Sequence, residues 1–311
     1  MSSRLTALFA IVLASLLWST AGVVTKILLK TFDPLPLAFL RFFIASLVIA
    51  PFFIKNVSKS IKQNLKLLVL ISLFGSGNIA FFYFGVAKTT ANATAIIYTA
   101  LPLVIALLSY LLIHERITKR KLSGILLGCI GIFTIILLPL WETGKVISGN
   151  TQGNLLIFVA VLSWSLYTVG SRYLINQKQL TPFSMTAISI FTSAIIFFLL
   201  TTLTSHRNYI EPLFKLNNLL LVMHLAVLVT VATYLLFQWA IKHSSATTAS
   251  LTNYLQPVFG IILNMLFLGE QLTWGFIIGS ILVFGGVIWA TGTQVFDELY
   301  RFVKPTARLK K

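Results

Sequence analysis

Chemistry requires side chains that ionise, attack or ligate, and this chain is poor in them. It has seven Asp and Glu, four His and a single Cys. Cys129 lies in an apolar block, which leaves neither a disulfide framework nor a Cys-based metal site. The four His are scattered, so the sequence predicts no metal and no cofactor. No G-x-x-x-x-G-K-S/T loop occurs, and the chain therefore carries no ATPase of its own. The residues with suggestive spacing are neutral. Thr230, Tyr234 and Gln238 stand at i, i+4 and i+8 and form one helical stripe. Asn78 and Tyr83, Thr94 and Tyr98, and Ser250, Asn253 and Tyr254 make similar groups. Trp18-Ser19 and Trp164-Ser165 with Tyr167 add large rings beside hydroxyls. All lie in apolar runs, where lipid disfavours amides and hydroxyls unless they face protein or water. Singly, each Trp or Tyr reads as a packing residue or interfacial anchor. Together they have the chemistry of a pocket for a small organic solute.

The elements that would hold them are membrane spans. Of the 311 residues 57% are hydrophobic and 10% charged, and the mean hydropathy is +0.92. Water-soluble chains carry about 25% charged residues, so disorder, a coiled coil and an ordinary globular enzyme are excluded. Ten apolar stretches appear: Thr6–Leu29, Leu35–Ile54, Leu65–Ala87, Ala91–Ile113, Leu122–Leu140, Gly153–Tyr173, Pro182–Thr204, Asn217–Ile241, Ala246–Leu268 and Leu272–Thr291. At 1.5 Å per residue each helix spans roughly 30 Å of hydrocarbon. In lipid the backbone must satisfy itself, which favours helices, and the alternation of a barrel strand is absent from the sequence. The first stretch is too long for a cleaved leader, and Lys26 and Lys30 follow where a cleavage site should be.

The formal charge of +17 would suggest nucleic acid, but its distribution argues against that. With the N-terminus in the cytoplasm and ten crossings, seventeen of the 24 Lys and Arg fall on the cytoplasmic side. Six fall outside, and Arg41 lies within a span. This is the positive-inside bias of an inner (plasma) membrane protein with both termini cytoplasmic. The basic tail, residues 294–311, reads as a loose or amphipathic segment on anionic lipid. Expected partners are a small-molecule substrate and membrane lipid, with no nucleic acid; the sequence leaves the oligomeric state open and is compatible with a monomer.

An offset of 155 residues places Pro102 on Pro257, Glu115 on Glu270, Thr118 on Thr273, Gly124 on Gly279, Gly131 on Gly286 and Ala91 on Ala246. An offset of 146 places Trp18-Ser19 on Trp164-Ser165 and Lys26 on Arg172. Five spans thus repeat as five spans, giving residues 1–145, residues 146–293 and the tail. Five is odd, so the second copy enters the membrane from the opposite side. Inverted repeats of this kind place a solute site near the midplane, between the halves. The fold class expected is all-α integral membrane, ten helices as two inverted five-helix repeats.

The stretches LLWSTAGVVTKILL (16–29), PLAFLRFFIA (36–45), ATAIIYTALPLVIALLSYLLIHERIT (93–118) and TASLTNYLQPVFGIILNMLFLGEQLT (248–273) resemble the EamA-type repeat of the drug/metabolite transporter superfamily. The likeness runs over about residues 6–291, and departs where His-Glu-Arg replaces a small residue before the Glu. It implies a secondary transporter whose first, third and fourth helices of each repeat line a central cavity. On those helices the candidate substrate-binding residues are Trp18, Ser19, Asn78, Tyr83, Tyr98, Trp164, Tyr167, Tyr234, Gln238, Asn253 and Tyr254. The resemblance leaves the substrate open; a nucleoside-like or S-adenosylmethionine-like metabolite is one alternative to an amino-acid-like one.

Charged and kinking residues complete the expectations. No Asp or Glu lies in a span core, which favours a neutral, zwitterionic or anionic cargo over a cation exchanged for protons. Lys26 and Arg41 would make a positive outer vestibule, or Arg41 would reach the outer headgroups. His224 reads as a helix-packing residue or a proton-sensitive gate. Glu115 and Glu270 read as structural helix-end contacts. Pro102 and Pro257 each remove a helical hydrogen bond at matched mid-helix positions and are candidate hinges. A membrane enzyme would need an acid/base pair at one interface, and Glu115 and Glu270 fall on opposite sides; a channel would show no saturation.

Overall fold

The computed structural model describes residues 3–55, 59–86, 88, 97–98, 100–143, 151–204, 209–268 and 274–303. Ten long helices account for nearly all of these: α1 Ser3–Leu28, α2 Pro34–Lys55, α3 Lys59–Val86, α4 Leu101–Ile113, α5 Lys119–Thr143, α6 Thr151–Gln177, α7 Pro182–Thr204, α8 Leu216–His243, α9 Thr252–Leu268 and α10 Trp274–Val303. A one-turn helix, Ala246–Ala249, precedes α9. No strand occurs among the described residues.

Local sequence sets several ends. α2 and α7 open on proline, whose fixed φ suits a first helical position. Thr181 caps α7 by accepting the Ser184 N–H at 3.0 Å. α4 stops at His114, which turns left-handed (φ 52°) and donates its N–H to Ser109 O. α10 runs past the expected boundary to Val303, and no proline lies within it.

α2, α7, α8 and most of α3 and α6 are each long and apolar enough to cross a bilayer. Large apolar side chains project outward along them, Phe52 at 63% and Leu203 at 76% exposure among others. In water such a surface would aggregate; against lipid it is the expected exterior. The chain is an all-α membrane protein.

The two halves interlock by a two-fold exchange. α1 packs on α8 and α9, and its counterpart α6 packs on α3 and α4. α2 packs on α7 and α8, and α7 packs on α2 and α3. α5 packs on α10, a pair that maps onto itself. Glycines set that last contact. A Cβ at Gly124 would lie 2.7 Å from Gly286 O, and one at Gly131 would lie 2.7 Å from Gly279 O. The 155 offset converts the first pair into the second, so the contact obeys the same axis as the sequence. Gly260 and Gly285, by contrast, would meet nothing within 4 Å among the described residues, and close packing explains neither.

α8 departs from a plain helix. Residues His224–Ala232 are π-helical, a rare arrangement that recurs at functional sites. Thr230 donates its hydroxyl to Leu225 O at 2.8 Å, and Thr233 donates to Val229 O at 2.6 Å. Half-buried His224 meets Thr20 Oγ1 at 2.8 Å, tying the start of the segment to α1.

Candidate functional site

α1, α6 and α8 each carry an aromatic residue near mid-length, and the rings meet. Trp18 lies 5.8, 6.4 and 5.3 Å from Trp164, Tyr234 and Phe237. Trp164 stacks on Phe237 at 5.4 Å and sits 5.1 Å from Tyr167. Tyr234 is 6.1 Å from Trp164 and 6.3 Å from Tyr167, and touches Phe42 of α2 at 6.4 Å. These are the offset and edge geometries that ring quadrupoles favour, each contributing about 0.5–1.5 kcal/mol beyond area.

A polar network lies beneath the rings. Gln238 donates Nε2 to Tyr167 Oη at 2.8 Å and to Ser171 Oγ at 3.1 Å. Tyr167 donates to Ser189 Oγ at 3.1 Å, and Ser189 Oγ meets Ser72 Oγ at 3.1 Å. Thr230, Tyr234 and Gln238 are all buried, as the stripe requires. Three polar atoms of this region, Gln238 Oε1, Trp164 Nε1 and Tyr83 Oη, are buried without a hydrogen-bond partner among the described residues. Each such group forgoes about 1–3 kcal/mol, and folded proteins keep few of them. Tyr83 lies in the same buried core as Trp164, Tyr167 and Tyr234, with its ring 6.1 Å from Phe82.

Arg41 does not extend toward headgroups. It is only 8% exposed and turns inward to α8, donating Nε to Thr230 Oγ1 at 2.6 Å and Nη2 to Val229 O at 3.2 Å. Its carbon Cζ lies 5.4 Å from the Phe42 ring centroid. Snorkelling loses because the π segment offers acceptors at mid-depth. Both of these hydrogen-bond acceptors are neutral, so neither offsets a guanidinium charge beside the ring cluster.

Other expected residues are placed differently. Asn78 donates Nδ2 to Tyr98 Oη and to Ala160 O, both at 2.9 Å, and Tyr98 packs edge-on to Phe82. This pair joins α3, α6 and the approach to α4. Ser19 bonds Leu16 O of its own helix at 2.6 Å. Asn253 donates to Ser250 O at 2.9 Å, again locally. Tyr254 is buried against α5: a Cβ on Gly128 would lie 2.6 Å from its ring. Pro102 is not mid-helix but the second residue of α4, where its missing N–H costs nothing. The expected ninth span breaks at Ser250–Leu251 rather than at Pro257, which lies inside α9. Thr94 and Glu270, and the side chains of Lys26 and Pro257, lie outside the described residues.

Phe237, Ser171, Ser189 and Phe42 join the site without having been singled out by sequence. Phe237 had one usable signal, since the 155 offset pairs it with Phe82 as it pairs Gln238 with Tyr83. Among the described residues no three His, Cys, Asp or Glu side chains converge to hold a metal.

Comparison with known proteins agrees with this architecture. Residues 5–137 and again 151–292 match the EamA-like transporter family. An uncharacterized transporter of Clostridium kluyveri is 25% identical over 93% of this chain and 94% of its own. The uncharacterized transporter YyaM of Bacillus subtilis is 28% identical over 84% and 85%, and protein PecM of Dickeya dadantii 24% identical over 94% of each. A protein of known crystal structure superposes with a TM-score of 0.77 at 20% identity, over 93% of this chain and 98% of that one; the likeness is one of fold.

Proposed function

The chain belongs to the EamA-like transporter family, and from that premise we propose that it is a carrier for a small amino-acid-like metabolite, working by alternating access in the inner (plasma) membrane with both termini cytoplasmic. The carrying observation is the set of unspent groups at the ring cluster: an acceptor on Gln238, a donor on Trp164 and a hydroxyl on Tyr83. A small solute with its own donors and acceptors would complete them. Arg41, charged and bonded only to neutral acceptors, suits a carboxylate. The ring faces of Trp18, Trp164 and Tyr234 suit an apolar side chain or an ammonium group. The two-fold exchange of helix contacts supports two equivalent packings, one open to each side, with the rings parting between them. Lys26 and Arg41 would draw an anion toward the cluster, and the helix breaks just before Pro102 and at Ser250–Leu251, ahead of Pro257, would serve as bending points.

The test is a binding screen on the purified protein, read by Trp fluorescence and thermal shift. Neutral and anionic amino acids, nucleosides and sugars are compared on the native chain and on Gln238→Leu. An amino acid should bind the native chain and lose about tenfold in affinity on Gln238→Leu, the worth of one buried hydrogen bond. A nucleoside that binds alone would replace the cargo assignment, and equal affinity for both proteins would remove Gln238 from the site.

A further inference from the structure

A second cluster lies at the face where α4, α6 and α8 end, one to two helical turns beyond the rings of α6 and α8. There Glu115, in the turn after α4, accepts the Ala246 N–H on Oε2 at 3.3 Å. The bond crosses from the first five helices to the second. Arg172, near the end of α6, donates Nη1 to Ile241 O and to Lys242 O, the latter at 3.1 Å, and so holds the end of α8. The Glu115 carboxylate acts electrostatically on the same guanidinium. Lys121 of α5 reaches Ser245 Oγ at 3.1 Å, and Ser60 of α3 donates to Lys178 O at 2.9 Å. Ser245 in turn caps Thr248 N at 2.9 Å, so the residues held are those that start the one-turn helix. Glu115 itself is fixed by the left-handed His114 and by its own N–H on Ser109 O at 3.0 Å.

From this geometry we infer that Glu115 is the catch that keeps this face of the carrier closed. The carboxylate links the end of α4 to the segment leading into α9 and acts on the guanidinium that holds the end of α8, and α6 and α8 are two of the helices on which the candidate pocket is built. Two features make it releasable. Among the described residues its hydrogen bond to the other half is to one backbone amide, and its second oxygen, Oε1, is buried with no hydrogen-bond partner. Beside it a cleft of about 160 Å³, lined by Ile113, Glu115, Arg172, Tyr173, Asn176 and Gln177, gives the carboxylate room to leave. Charge-assisted bonds are about twice as strong as neutral ones, so the negative charge, more than the shape of the side chain, sets how firmly this face stays closed. The sequence offsets pair Glu115 with Glu270, Ala246 with Ala91 and Arg172 with Lys26; Glu270 and Ala91 lie outside the described residues, and the catch assigned is the one at this face.

The inference rests on the transporter reading but is tested without a cargo. Cys129→Ser removes the native thiol, and Ser171→Cys on α6, beside Gln238, becomes the reporter. The full chain in sealed vesicles is labelled by a membrane-impermeant thiol reagent from the face bearing Glu115. Glu115→Gln keeps an acceptor and loses the charge, and should raise the labelling rate about tenfold. Ala246→Pro removes the accepted N–H while suiting a first helical position, and should raise it similarly; it serves if Glu115→Gln is not monodisperse. Labelling unchanged in the folded variant, or slowed by it, overturns the catch and leaves the cargo reading intact. Faster labelling with no solute ever bound upholds the catch and counts against the cargo reading.

Discussion

Replacing Arg41 by Leu separates a binding role from a structural one. The guanidinium makes two hydrogen bonds, to Thr230 Oγ1 at 2.6 Å and Val229 O at 3.2 Å. Neither acceptor is abandoned by its loss. Thr230 still donates to Leu225 O, and Val229 O still receives the Thr233 hydroxyl at 2.6 Å. The usual penalty of a buried group left unpaired is therefore small. A buried charge also carries a desolvation cost that Leu does not. The two terms oppose, and the net change in stability should stay within about 1 kcal/mol. Binding should respond differently. A carboxylate held by the guanidinium gains a charge-assisted bond worth about 1.5–3 kcal/mol, or roughly 10- to 100-fold in affinity. The assay is counterflow into proteoliposomes against substrate concentration, with thermal unfolding in detergent run in parallel. Half-saturation should rise by that factor while the melting temperature holds. An unchanged half-saturation would refute the anion role, and a collapsed melting temperature would refute the argument that α8 is satisfied without Arg41.

Further expectations concern the seams and the rings. Gly286→Ala would set a Cβ 2.6 Å from Gly124 O and 2.7 Å from Gly128 N, both backbone atoms. It should cost about 1–3 kcal/mol by overpacking, read as a lower melting temperature, whereas Gly285→Ala, which meets nothing within 4 Å among the described residues, should be silent. Trp164→Phe keeps a ring on Phe237 but deletes the unspent Nε1–H, so substrate affinity should fall by about tenfold with little loss of stability. Thr230→Val removes the hydroxyl shared between Arg41 and Leu225 O; loss of that buried link should lower stability by about 1–2 kcal/mol, checked by thermal unfolding.

The spans were legible because apolar runs of about twenty residues have one economical outcome in lipid. The repeat was legible because Pro, Gly and Glu recur at one offset, and the α5–α10 contact obeys it. The site was legible only in part. On α8 the stripe of Thr230, Tyr234 and Gln238 faces inward, since a polar stripe on an apolar helix has few other places to go. Ser19, Asn253 and Tyr254 went elsewhere for different reasons. Ser19 bonds a carbonyl of its own helix and Asn253 one in the turn just before α9, choices invisible to composition. Tyr254 lies on a helix apolar around most of its surface, so periodicity does not say which side meets α5. The π segment had no sequence mark at all, being tied to Arg41, which is 189 residues away in the chain. Phe237 was overlooked because an apolar residue among apolar residues carries no cue except its offset partner.

The central claim is that two inverted halves enclose a solute site where α1, α6 and α8 meet. Counterflow measures it most directly: proteoliposomes preloaded with unlabelled solute are given a trace of labelled solute outside. Uptake should be saturable, accelerated by the internal solute and strongly reduced in Trp18→Ala, Trp164→Ala and Gln238→Ala proteins that remain folded. Uptake linear in concentration and indifferent to internal solute, or identical in all three variants, would contradict it.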